Sequence, residues 1–339
     1  MNKEIDLSKY NLRTDIALEQ IDNDIVIEKE EYEENGVLTT KIVLDKNNKD
    51  YFNKPEGKYI TLRFKDVSDS NNFNDVQDAL TKELTTLINT YNLKKEDNIL
   101  IVGLGNKNST PDSLGPKVVE EVIVTRHMFL LNNISDNFQN TSAISFGVTG
   151  TTGIETSQAI LAITEKTKPK LVIVIDALAS SLIENLNKTI QITTAGISPG
   201  SGVGNSRMEI SKDTLGVDVI AIGIPTVVDS LTIISSSFTY IYKYLAYTLS
   251  DSKKRKLAIP NSINYLKEEV KDLDSKNKEA FLGIMGTLTD DELKVFIKEV
   301  IEPIDMNLIV TPKEVDFTIK KLSNIISNSL NNTLHRQDI

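Results

Sequence analysis

The clearest pattern in this chain is a set of short strand-like segments, most of them largely apolar. Ile99–Leu104, Ala143–Val148, Leu171–Ile175, Thr189–Thr194 and Val217–Gly223 are of this kind. The continuously apolar ones, such as Ile99–Leu104 and Leu171–Ile175, are what a strand buried beneath helices on two faces requires. Between them the period changes. Val76, Leu80, Leu84, Leu87 and Ile88 recur at helical spacing within Asp75–Tyr91, and Lys117–Leu131 and Thr156–Lys166 also read as helices. Tyr59–Phe64 alternates as a strand does. Strand and helix in turn predict an α/β fold: a three-layer sandwich with a mostly parallel, twisted sheet. Towards the end, Asp290–Ile301 and Lys313–Leu330 predict helices on either side of Asn307–Thr311.

Two stretches fall outside this rhythm. Residues 1–15 form a polar arm, followed by an acidic stretch around Glu28–Glu34. Residues from about 250 to 280 are charged and poor in aromatics, which predicts a flexible insertion in the domain.

Composition narrows the chemistry. The 339 residues include no cysteine and only two histidines, His127 and His335. Disulfides and thiolate nucleophiles are excluded, a histidine-rich zinc site cannot be assembled, and a Ser-His-Asp hydrolase would depend on His127 alone. His127, beside Arg126 in a helical stretch, reads as structural. Acid–base work falls mainly to carboxylates, lysines and tyrosines. A formal charge of -10 argues against nucleic acid as a partner. The chain has neither an apolar run long enough to span a membrane nor the apolar core of a signal peptide, so a cytoplasmic protein is expected.

The candidate chemistry lies where strands run out. After Ile99–Leu104 comes a loop from Gly103 to Pro116 that presents Asp112. It resembles a dinucleotide fingerprint only briefly: Asn108 stands in the place of the third glycine, and no Gly-Lys-Ser/Thr follows to make a P-loop. Taken alone, Asp112 reads as a turn or cap residue. Asp176 directly follows Leu171–Ile175, where a carboxylate is costly unless paired or used. If the two lie at adjacent strand ends, they can share one proton and act as acid and base on water. Two glycine-rich loops could bring backbone amides to a ligand or an oxyanion: Gly147–Thr156, with Gly150, Gly153 and Glu155, and Pro199–Arg207, with Gly200, Gly202 and Arg207.

Together these segments resemble the spore germination proteases. The resemblance rests on Asn108–Pro116 with Val118 and Val119, on Asp176–Ala179, Ser198–Asn205 and Pro225–Asp229, and on Asn307–Asp316. It runs through essentially the whole chain in order. It implies an endopeptidase that begins the degradation of small acid-soluble spore proteins at germination, in the forespore and spore core, as a homotetramer. It implies a fold similar to hydrogenase-maturation endopeptidases, with Asp112 and Asp176 as the essential pair and no cofactor. Which aspartate is acid and which base stays open. Members are made as zymogens, and Arg13–Glu19 resembles the processing site. Cleavage between Asp15 and Ile16 would then remove residues 1–15 as a pro-segment and leave 16–339 as the peptidase domain, with acidification of the spore favouring the cut. Ser198 departs from the family, where many members carry histidine; the departure favours a metal-free aspartate mechanism. The alternatives are a metal-dependent maturation endopeptidase and a binding module without catalysis.

Overall fold

A computed structural model describes residues 14–20, 28–46, 54–131, 134, 137–200, 208–250, 264–267, 271–301 and 308–335. The strands are β1 (Lys29–Glu34), β2 (Val37–Leu44), β3 (Gly57–Arg63), β4 (Ile99–Gly103), β5 (Thr141–Ser145), β6 (Leu171–Ala179), β7 (Thr189–Thr193), β8 (Asp218–Asp229) and β9 (Ile309–Val310). The main helices are α1 (Ser70–Asn89), α2 (Leu114–Glu121), α3 (Arg126–Leu130), α4 (Thr156–Thr167), α5 (Ser230–Ser250), α6 (Ser275–Leu282), α7 (Asp290–Ile301) and α8 (Val315–Leu334). The chain divides into two compact units. One holds residues 13–180, 184–227 and 311–339; the other is built chiefly from 228–310.

In the first unit the apolar runs do what their pattern predicts. Ile99 and Ile101 of β4, Ile173 and Ile175 of β6, and Ile220 and Ile222 of β8 point into one core, shared with Leu80 and Leu84 of α1, Val118 of α2 and Leu322, Ile325 and Ile326 of α8. The alternate residues Leu100, Val102, Val172, Val174 and Val219 enter a second core with Ile160 of α4 and Leu215. Most of these side chains are completely buried, and each such Leu or Ile contributes about 1.5–3 kcal/mol of burial.

The sheet is mixed, which corrects the expectation of mostly parallel strands. Its order is β1-β2-β3-β7-β8-β6-β4-β5, with β9 added beside the end of β8. Only β8–β6, β6–β4 and β4–β5 pair in parallel; β1–β2, β2–β3, β3–β7, β7–β8 and β8–β9 are antiparallel. The physical reason is the connection between neighbours. β1 and β2 are joined by Asn35-Gly36, both at positive φ (50° and 76°), a turn that forces adjacent strands to run in opposite directions. The helical expectation for Lys117–Leu131 is corrected as well. α2 ends at Glu121, and the β-branched run Val122–Thr125 leaves the helix. Thr125 then joins the start of β5: its amide donates to Thr141 O at 3.0 Å, its hydroxyl donates to Gln139 O at 2.5 Å, and Thr141 N donates to that hydroxyl at 2.9 Å.

In the second unit, α5 begins where Asp229 Oδ1 accepts from Thr232 N at 2.6 Å, an N-cap bond. Leu245 and Ala246 of α5 pack with Leu273, and Lys278 of α6 lies 4.5 Å from the Tyr242 ring centre. Of the charged stretch 250–280, residues 251–263 and 268–270 lie outside the described residues. Among the described residues no helix is long and apolar enough to cross a membrane.

Candidate active site

The loop after β4 is closed by its own aspartate. Asn106 N donates both to Asp112 O at 3.0 Å and to Asp112 Oδ2 at 2.8 Å. The crossing is tight at Gly105, where φ is 109° and any Cβ would press on Asp112 O. Beyond it, Leu104 N donates to Ile175 O at 2.8 Å, and a Cβ on Gly115 would lie 2.7 Å from that same carbonyl. The two glycines therefore draw the start of α2 onto the ends of β4 and β6, with the turn Thr110–Asp112 against β6. Of the two isolated readings of Asp112, turn residue or helix cap, the structure has the turn. The N-cap of α2 is Ser113, whose side chain makes no capping bond.

Asp176 sits inside β6 rather than after it, because β8 runs alongside in register as far as Leu178. It is 6% exposed, and its Oδ1 accepts from Ala177 N at 2.9 Å. Across the sheet, Asp176 pairs with Gly223 of β8, and Gly223 pairs with Gln191 of β7. Residues paired in this way project from one face of the sheet. Asp176 and Gln191 therefore share a face about 10 Å apart, two strand spacings, with a glycine between them. Leu178 leans over Gly223, which is why no side chain fits there.

Onto this row docks the segment Thr14–Glu19. Asp15 N donates to Ala179 O at 3.0 Å, and Ala179 N donates to Asp15 Oδ2 at 2.9 Å. Gln191 Nε2 donates to Asp15 O at 3.1 Å, while Ala17 N donates to Gln191 Oε1 at 2.7 Å. Lys54 Nζ donates to Thr14 O at 3.1 Å. Burial holds the Lys54 ammonium below its ordinary pKa, with the charges of Asp15 and Glu19 opposing the shift. The Glu19 carboxylate accepts from Thr14 Oγ1 and Asn185 Nδ2, each at 2.5 Å, and from Ser180 Oγ. Ile16 and Ala17 are 0% and 1% exposed. The acidic and aliphatic positions of the segment are thus all engaged, three residues along β6 from Asp176.

The profile of the germination protease family matches residues 5–338. The chain belongs to this family. Among relatives, the germination protease of Bacillus licheniformis is 43% identical over 354 residues, covering 98% of this chain and 96% of that protein. Those of Bacillus cereus and Bacillus subtilis are 44% and 42% identical, the alignments covering 99% and 98% of this chain and 97% and 96% of theirs.

In this germination protease family member the first glycine loop follows β5, the strand beside β4 at the sheet edge. Glu155 Oε2 accepts from Thr149 Oγ1 at 3.1 Å, and Gly153 takes φ 70° to end the turn Thr149–Thr152. At Gly150 and Gly153 a Cβ would meet nothing within 4 Å, so the surface is open there. Gly200, at φ 74°, begins the second loop; Gly202 and Arg207 lie outside the described residues. His127 is exposed, and His335 is buried beside Ile123 O, 3.2 Å from its Nε2. Among the described residues no three His, Asp or Glu side chains are grouped as a metal ion would need. Gln191, Lys54, Ser180 and Asn185 escaped sequence reasoning. The one available signal was a glutamine between two isoleucines in a fully buried strand.

Proposed function

We propose that this chain is a self-processing endopeptidase, made as a zymogen, that removes residues 1–15 by cutting between Asp15 and Ile16. In the spore core, as a homotetramer, it then begins the degradation of small acid-soluble spore proteins at germination. Asp112 and Asp176 share one proton; the ionised member draws a proton from water, and the other supplies one to the departing amine. Backbone amides of the loops at Gly150, Gly153 and Gly200 are candidate donors to the developing oxyanion. Acidification favours the cut, since it puts the one required proton on the pair.

The observation that carries this reading is the docking of Thr14–Glu19 along the end of β6, the strand that bears Asp176. Bound peptide segments that extend a strand through main-chain hydrogen bonds are a common mode of substrate recognition. The test incubates the full-length chain at mildly acidic pH beside its Asp112→Asn and Asp176→Asn variants and follows intact mass and N-terminal sequence. A new N-terminus at Ile16 in the parent alone is expected. No cut in the parent, or an equal cut in all three, overturns the proposal.

A further inference from the structure

One side chain spans the Asp15–Ile16 peptide bond. Gln191 lies in the middle of β7 and is 5% exposed. Its amide nitrogen donates to the carbonyl of Asp15 at 3.1 Å, and its amide oxygen accepts from the N–H of Ala17 at 2.7 Å. One partner is an acceptor and the other a donor, so both bonds form in only one orientation of the carboxamide. The peptide groups on either side are fixed as well. Thr14 O is held by Lys54, Asp15 N by Ala179 O, and Ile16 N by Thr14 Oγ1 at 3.0 Å. Gln191 also stands in the same row and on the same face of the sheet as Asp176, with only Gly223 between them.

We propose that Gln191 grips and polarises the peptide group that is cut, in Thr14–Glu19 and in a protein substrate laid in the same place; this rests on reading Asp15–Ile16 as the cleavage site. When water adds to the carbonyl carbon of Asp15, one water proton passes to the carboxylate base and the carbonyl oxygen takes on negative charge. The Gln191 N–H already points at that oxygen, at the outer edge of the distance at which such donors act, and strengthens its bond as charge grows. The tetrahedral centre then collapses. The C–N bond breaks, the nitrogen of Ile16 takes the proton of the acid, and Asp15 keeps a new carboxyl group. The bond to Ala17 N keeps the leaving side aligned meanwhile.

The test uses the full-length chain, with Gln191→Ala, Gln191→Glu and Asp176→Asn, and measures the rate of the Asp15–Ile16 cut across acidic to neutral pH. Hydrogen exchange of residues 14–19 reports docking in each. Gln191→Ala is expected to cut about 100-fold more slowly, the cost of one lost oxyanion donor. Gln191→Glu keeps an acceptor for Ala17 N but offers a proton to Asp15 O only when its carboxyl is protonated. The ratio of its rate to the parent's should therefore climb as pH falls, which loss of a purely structural anchor would not produce. Rates within about threefold of the parent's for both Gln191 variants, or a Gln191→Glu ratio flat with pH, overturn the assignment. A parent that does not cut at Asp15–Ile16, or Asp176→Asn cutting as fast as the parent, instead overturns the cleavage reading beneath it.

Discussion

The grip on Glu19 offers the most direct test of how the docked segment is held. Glu19→Ala removes one carboxylate and with it three contacts: Thr14 Oγ1 and Asn185 Nδ2 at 2.5 Å each, and Ser180 Oγ. A hydrogen bond to a charged group contributes about 1.5–3 kcal/mol when buried. These three share one half-buried carboxylate, and water can reach the donors once it is gone, so their joint loss comes to about 2 kcal/mol. That amount makes opening of the segment roughly 30-fold more frequent. The amides of Asp15 and Ala17, bonded to Ala179 O and Gln191 Oε1, report the opening. Their exchange rates are measured by mass spectrometry in an Asp176→Asn background, so that the segment stays whole. Both are expected to exchange roughly 30-fold faster, while the amides of β4 and β6 stay unchanged. Glu19→Gln, which keeps an acceptor but loses the charge, should fall between. A change of less than about threefold at Asp15 and Ala17 would mean that the carboxylate is not what holds the segment, and the reasoning fails.

Other consequences are as direct. Gly115→Ala pushes a Cβ into the carbonyls of Leu104 and Ile175, which are backbone and cannot turn aside, so it should cost about 3 kcal/mol in chemical denaturation and also abolish processing. Gly150→Ala meets open space and should leave stability within about 0.5 kcal/mol. Glu83, 2% exposed, holds Lys41 at 3.1 Å and the Tyr32 hydroxyl, so Glu83→Ala should destabilise the fold by about 2–3 kcal/mol. The Tyr32 pKa, pushed up to about 12 by burial first and then by Glu83, should drop towards 10 in an ultraviolet titration of that variant. Burial holds the His335 imidazole below its ordinary 6.5, so below that pH the unfolded chain binds more protons than the folded one. Stability from this group is full above pH 6.5 and is lost as pH falls towards the depressed folded value. His335→Gln should therefore melt with a smaller loss of midpoint below pH 6.5 than the parent.

The parallel half of the fold was legible because its strands are buried on both faces: β4, β6 and β8 read as apolar runs whatever surrounds them. Of the antiparallel half, β3 and β7 were legible as strands but β1 and β2 were not. β1 has the sequence Lys-Glu-Glu-Tyr-Glu-Glu, and all its residues but Tyr32 are exposed, so its pairing with β2 leaves no apolar periodicity. The Asn35-Gly36 turn was the one local sign of it. α5 escaped for a related reason: its 21 residues are rich in serine, threonine and tyrosine, and only Thr232, Leu245 and Ala246 are buried, so no stripe marks it as a helix. At the site, Asp176 could be singled out because it directly follows an apolar run, and Asp112 because it stands in the loop that follows another. Gln191, Lys54, Ser180 and Asn185 could not. They converge from separate strands and loops, and each is unremarkable where it stands in the chain.

Because Ile16 is completely buried, the proposed cut beside it would change the electrostatics of its surroundings. An intact peptide bond at that position is neutral, and its polar atoms are satisfied by Gln191 and Thr14. The proposed hydrolysis would replace it with an ammonium group on Ile16, which no solvent reaches, and a carboxylate on the half-buried Asp15. An ion stripped of water in this way costs several kcal/mol. The packing that shelters the bond would thus expel its own product: if the bond is cut there, the buried charge would itself supply the force that clears the place for the next chain.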